Sequence, residues 1–187
     1  MPGGNWLNGS KGFLWIDTVF GVCPFLLWTG LAANRPEFIE ESCFQMLGHY
    51  EVLFDKSCGL YHQAINFNTP GALSPAHWSR GCGWAAIALA EMVHDLPKTH
   101  ADNEAIGKAY RELMIGCRNH QDHWGMLHQA VESVSTYAET SGTALVLYGM
   151  GRGIESGALD SSEFLEPFLR GLKGMTRYVA VDGSVFN

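Results

Sequence analysis

Gly59-Leu60-Tyr61-His62-Gln63-Ala64 recurs 66 positions later as Gly125-Met126-Leu127-His128-Gln129-Ala130, and this repeat decides how the rest of the chain is read. A fixed period means that each unit is one helical or stranded module whose apolar face is covered only by its neighbours. A second set of stretches keeps the same phase: Trp15-Ile16-Asp17-Thr18, Trp78-Ser79-Arg80-Gly81 and Tyr137-Ala138-Glu139-Thr140, spaced 63 and then 59. Each reads aromatic, small or apolar, charged, small, and each precedes a helix-forming run. Three units of about 60 residues therefore fill the chain. The last ends at Asp182-Gly183-Ser184-Val185-Phe186-Asn187, where the other units place their Gly-x-x-His turn.

Every unit carries two helical segments of different character. The first is apolar on all sides, as in Trp84-Ala85-Ala86-Ile87-Ala88-Leu89-Ala90-Glu91-Met92, and a helix without a polar face has to be buried all round. The second is amphipathic: Ile39, Cys43, Met46, Leu47, Tyr50 and Phe54 recur at helical spacing, as do Ile106, Ala109, Tyr110, Leu113, Met114 and Cys117, then Leu165, Phe168, Leu169, Leu172 and Met175. Pro36, Asp102 ahead of Glu104, and Asp160-x-x-Glu163 supply start signals. Alternation of buried with half-buried helices predicts an all-α chain of three hairpins in two layers, an α/α toroid or solenoid without a central sheet. Residues 19–31, 83–93 and 141–153 are the expected inner helices, more buried than the outer 37–54, 104–118 and 162–178. The intervening runs 57–77 and 122–137 are rich in Gly, Pro, Asn and His, and loops of that length are commonly functional.

Composition narrows the function. With 187 residues, 47% hydrophobic and 17% charged, the chain is a single globular domain spanning 1–187 rather than a disordered one. A net charge of -7 without a basic run argues against nucleic acid. Segment 13–33 is long enough to span a bilayer, but Asp17, Pro24 and Asn34 interrupt or bound it, so a buried helix and no membrane contact are expected. Cys23, Cys43, Cys58, Cys82 and Cys117 are odd in number and never spaced C-x-x-C, which predicts reduced thiols. With no basic start or apolar core in the first ten residues, a cytoplasmic location is expected, secretion of a longer precursor being the alternative.

If the inner helices run parallel, their N-termini gather at one end and bring Asp17, Arg80 and Glu139 together with Trp15, Trp78 and Tyr137. Carboxylates are ordinary at a helix N-terminus, but a cation there needs an anion beside it, from the protein or from a ligand. Glu139 has two readings, a substrate contact or a structural cap. His120, Asp122, His123 and His128 read as solvated residues at a helix end rather than a zinc set, His94 and His100 as surface residues, and His49 as packed within its helix.

These motifs carry a resemblance. Trp15-Ile16-Asp17-Thr18-x-Phe20, Gly59-Leu60-Tyr61-His62, Trp78-Ser79-Arg80-Gly81-Cys82-Gly83-Trp84 and Tyr137-x-Glu139-Thr140-Ser141-Gly142-Thr143-Ala144 resemble, in order and spacing, the motifs of glycoside hydrolase families 88 and 105, the unsaturated glucuronyl and rhamnogalacturonyl hydrolases, with family 105 the closer. The resemblance implies part of an (α/α)6 barrel, truncated at both ends, since six hairpins of this size need roughly 370 residues. It also implies action on an unsaturated uronic-acid oligosaccharide, in which an acid protonates the C4=C5 enol ether and water adds at C5, with no cofactor and no metal. By motif position Asp17 matches the general acid and base, His62 an active-site histidine, and Arg80 and Trp84 the pair that holds the substrate's carboxylate and ring, with Trp78 beside them. Asn66 stands where the family usually has an acidic residue, and Cys82 where it often has Asn. The family's second aspartate belongs to an N-terminal part outside this chain. Two function classes follow: a glycoside hydrolase, or a non-catalytic remnant that binds uronate through Arg80 and Trp84. A half ring leaves apolar walls uncovered, so an oligomer or a complementing chain is expected.

Overall fold

A computed structural model describes residues 12–186. Six helices pair into three hairpins: α1 (Asp17–Ala33) with α2 (Pro36–Leu53), α3 (Ser79–Asp95) with α4 (Asn103–Asn119), and α5 (Thr140–Ser156) with α6 (Ser161–Met175). The first helices of the hairpins stand in a row, α1 against α3 and α3 against α5, and each is backed by its partner. This is the two-layered α/α toroid arrangement that the alternating helix character predicts. A 3-10 turn, Thr176–Tyr178, follows α6, so the last outer helix stops short of its expected end. Among the described residues no helix is long and apolar enough to cross a membrane.

Pro36 and Asp160 act where they were read, whereas Asp102 precedes α4 without a side-chain cap hydrogen bond. Asn34 closes α1 in the left-handed conformation at φ 52°, and Pro36 opens α2, which makes the first hairpin turn very short. Asp160 caps α6 by accepting from Ser162 N. Glu163 does not complete a capping box; it pairs with Arg118 of α4 at 2.8 Å and ties neighbouring hairpins together.

Outside the helices lie two small antiparallel ribbons: β1 (Leu14–Trp15) pairs with β4 (Ala64–Ile65), and β2 (Phe54–Asp55) with β3 (Leu60–Tyr61). They are two residues long per strand, too short to show alternation in sequence. More consequential is α1, expected to be buried all round and more buried than α2. It is the less buried of the two, leaving Phe20, Phe25, Trp28 and Leu31 at 41%, 64%, 45% and 40% exposure. The reason is position: α3 has inner neighbours on both flanks, whereas α1 ends the row and has one. Inner helices α3 and α5 do exceed their partners α4 and α6 in buried residues.

The repeat extends into the loops. Asp55 Oδ1 accepts from Ser57 N, Asp122 Oδ1 from Trp124 N and Asp182 Oδ1 from Ser184 N, so each unit turns on the same aspartate-led turn. Gly59, Gly125 and Gly183 follow with φ of 77°, 82° and 87°, a left-handed geometry that only glycine adopts without strain.

Candidate active site

The N-termini of α1, α3 and α5 meet at one end of the row, as parallel inner helices require. Glu139 is nearly fully buried and caps α5 by accepting from Gly142 N; it also takes hydrogen bonds from Ser79 Oγ at 3.1 Å and Ser141 Oγ at 2.5 Å. Arg80 Nη1 lies 3.4 Å from Glu139 Oε1 and 3.2 Å from Ser141 Oγ. The anion that Arg80 needs at a helix N-terminus is thus partly supplied from within, and Glu139 takes the structural of its two readings. Among the described residues the hydrogen bonds of Arg80 fall on Nη1. Its guanidinium carbon stands 4.4 Å from the centre of the Trp78 ring, a cation-π contact on a side chain that is 41% exposed.

Asp17, the first residue of α1, is half-buried. Loss of hydration raises its carboxyl pKa, while its own backbone hydrogen bond and the charge of Arg80 pull the other way without cancelling the effect. Among the described residues its Oδ2 is buried without a hydrogen-bond partner, and so is Trp78 Nε1. One helical turn further on, Phe20 stacks on Trp84 with ring centres 4.7 Å apart. Asp17 with Phe20 on α1 therefore faces Arg80 with Trp84 on α3, a charged level above an aromatic one. Sequence spacing placed Arg80 and Trp84 on one face but did not show that Phe20 already covers part of the Trp84 plate.

His62 stands on the loop that adjoins this end of the row. Ile16 N donates to Gln63 O at 2.9 Å, so the backbone carrying His62 runs beside the start of α1. The imidazole itself joins a different group: Nδ1 faces Ser74 O at 2.7 Å, Nε2 faces Asp55 Oδ2 at 3.8 Å, and the ring lies 4.3 Å from that of His77. His77 is buried and its pKa is lowered chiefly by that burial. Neither Asp55 nor His77 was singled out from sequence; His77 immediately precedes the Trp78-x-Arg80 motif, and Asp55 opens the turn before the repeated glycine.

The two departures from the motif pattern are structural. Asn66 sits at φ 66°, where its Nδ2 donates to Gly12 O at 2.6 Å and its Oδ1 accepts from Gly71 N at 2.5 Å, so it holds a loop. Cys82 is fully buried, its thiol pushed up to about 12 by desolvation. The candidate histidines of the second loop do not converge. His128 pairs with Asp122, His120 faces Gly116 O within its own helix, and His123 lies against Trp124. His100, expected at the surface, is largely buried beside Glu40.

The sequence profile of Glycosyl Hydrolase Family 88 matches residues 4–186. Unsaturated rhamnogalacturonyl hydrolase YesR of Bacillus subtilis is 27% identical over 172 residues, covering 91% of this chain and 48% of the relative. An unsaturated 3S-rhamnoglycuronyl hydrolase of Formosa agariphila is 23% identical over 181 residues, 91% of this chain and 48% of the relative. Among solved structures, a possible member of the GH105 family from Salmonella enterica superposes with a TM-score of 0.84 at 24% identity, covering 94% of this chain and 48% of that one. A family 105 glycoside hydrolase of C. acetobutylicum superposes at 0.85 with 23% identity, covering 95% and 53%. These superpositions show a common fold. The chain spans about half the length of the curated relatives just named.

Proposed function

Because the chain belongs to glycosyl hydrolase family 88, we propose that it acts on unsaturated uronyl oligosaccharides of the galacturonyl-rhamnose type, by hydration of the C4=C5 double bond. Asp17 is the general acid. Its proton goes to C4 of the enol ether, water adds at C5 and returns a proton to the carboxylate, and the resulting hemiketal opens and releases the next sugar. One observation carries the reading: a half-buried carboxyl with an unpartnered oxygen, its neutral form favoured by desolvation, stands next to an arginine stacked on an indole. A proton donor for near-neutral pH needs that bias, and a planar anionic sugar suits a guanidinium fork beside aromatic plates. With Nη1 engaged, Nε and Nη2 of Arg80 are the edge left for the substrate carboxylate. Trp78 and Trp84 supply apolar surface, and His62 completes the set from the adjoining loop.

Binding should therefore depend on the shape of the arginine as well as its charge. Arg80→Lys is expected to weaken binding of an unsaturated galacturonyl disaccharide nearly as much as Arg80→Ala, roughly tenfold to a hundredfold, because both lose the bidentate fork. Calorimetric titration reads this directly, and equal affinity of the wild type and Arg80→Ala removes Arg80 from the site.

A second reading, binding of uronate without turnover, has its own support: Glu139, the other carboxylate of this cluster, commits both oxygens to Gly142, Ser79, Ser141 and Arg80, so it cannot act as a partner base. Loss of the C4=C5 absorbance in the presence of the chain distinguishes the two. The exposed Phe25, Trp28 and Leu31 on α1 further lead us to expect self-association or capture of a complementing chain. Sedimentation should show species larger than a monomer; a stable dilute monomer that binds no apolar dye contradicts it.

A further inference from the structure

We propose that Asp55, His62 and His77 form a binding site for a divalent transition-metal ion of the zinc type, held by Asp55 Oδ2 and the two Nε2 atoms with a fourth position open. The site shares His62 with the substrate-binding set proposed above, so metal and substrate would compete for it, and it departs from the metal-free expectation that the family resemblance carries. The argument begins with distances. Asp55 Oδ2 lies 3.8 Å from His62 Nε2 and 3.6 Å from His77 Nε2. All three donor atoms fall within 4.8 Å of one another. Both carboxylate contacts are too long for hydrogen bonds, yet close to the separation of about 3.3–3.6 Å between ligand atoms bound tetrahedrally at about 2.0–2.2 Å from zinc.

The outer contacts orient the donors toward that centre. His62 Nδ1 faces the carbonyl of Ser74 at 2.7 Å, an oxygen that can only accept, so Nδ1 carries the proton and the lone pair of the neutral ring is on Nε2. Glu132 Oε2 lies 3.4 Å from His77 Nδ1 as a charge contact without a hydrogen bond, and the same carboxylate accepts from the His77 backbone N–H. Asp55 Oδ1 is fixed by Ser57 N and Oγ, which leaves Oδ2 to face the two rings. Cys58 Sγ, 3.7 Å from His77 Nε2, borders the site.

The internal repeat provides a control. In the second unit His128 occupies the place of His62 and Asp122 that of Asp55; His128 Nδ1 likewise faces a carbonyl, that of Thr136. There the pair makes a direct 3.3 Å hydrogen bond, and among the described residues no second imidazole joins it. In the first unit the pair stands 3.8 Å apart and His77 lies beside it, its Nε2 3.6 Å from the carboxylate and 3.7 Å from Cys58 Sγ.

The test is titration of the chelator-stripped 187-residue chain with Zn²⁺ against a chromophoric zinc indicator. One equivalent should bind with micromolar or tighter affinity. Asp55→Asn, which retains the oxygen that caps the turn, and His77→Gln should each weaken it at least tenfold, while His128→Gln leaves it unchanged. Mg²⁺, which prefers oxygen ligands, should not compete. Should the variants fail to fold, the wild type still decides: long-range ¹H-¹⁵N spectra should show the Nε2 signals of two histidines moving on Zn²⁺ addition while their Nδ1 sites stay protonated. Absence of saturable binding, equal affinity in Asp55→Asn, loss in His128→Gln, or shifts confined to other histidines would each overturn the site.

Discussion

Asp17→Asn is expected to remove at least about 10²-fold of the turnover of an unsaturated galacturonyl-rhamnose disaccharide, the lower end of what a positioned general acid contributes. The absolute rate of the 187-residue chain should itself be low, because Asp17 acts without a second free carboxylate in its cluster, and positioned partners supply much of such a rate. The same substitution should raise thermal stability at neutral pH. Burial raises the carboxyl pKa above its ordinary 3.8, so in the window between 3.8 and the raised value the folded chain holds a proton that the unfolded chain releases. Stability therefore falls as pH rises through that window and stays reduced above it, and an amide escapes the loss. A proton donor gives opposite signs for activity and stability, with activity of the wild type declining as pH rises through the raised pKa. An aspartate serving only to start α1 would lose stability on replacement and leave residual turnover untouched; that outcome, or activity surviving in Asp17→Asn, assigns the acid elsewhere.

Gly142→Ala is expected to destabilise the chain by about 3 kcal/mol, at the upper end of ordinary overpacking. A Cβ there would sit 2.5 Å from the carbonyl carbon of Ser79 and 2.6 Å from Arg80 N, so the obstacle is backbone that has nowhere to turn. Helix propensity alone favours the opposite sign, alanine over glycine by about 1 kcal/mol. Gly21, in α1 with nothing within 4 Å of its Cβ position, isolates that term. Gly21→Ala should raise the melting temperature by up to about 4 °C and Gly142→Ala lower it by roughly 6–12 °C. Forcing α3 and α5 apart at this crossing also displaces Arg80 from Glu139, so uronate binding should fall with stability. A melting temperature unchanged in Gly142→Ala would mean that the two N-termini do not cross this closely.

The amino-acid sequence by itself determined the period, the three hairpins, the helix starts at Pro36 and Asp160, and the gathering of Asp17, Arg80, Trp78 and Trp84. Each depends on repetition at fixed spacing or on chemistry within one helical turn, so it survives without coordinates. Tertiary structure alone decided how exposed α1 is, because an all-apolar helix reads the same whether it stands in the middle of a row or at its end. It also decided that Glu139 anchors Arg80, across 59 positions of chain. The joining of Asp55, His62 and His77 is of the same kind. Asp55 opens a turn, His62 belongs to a repeat and His77 precedes a helix, and none of those local roles contains the direction in which its side chain points. That direction is set where the hairpin of β2 and β3 folds back against the loop before α3, a contact between segments that share no periodicity.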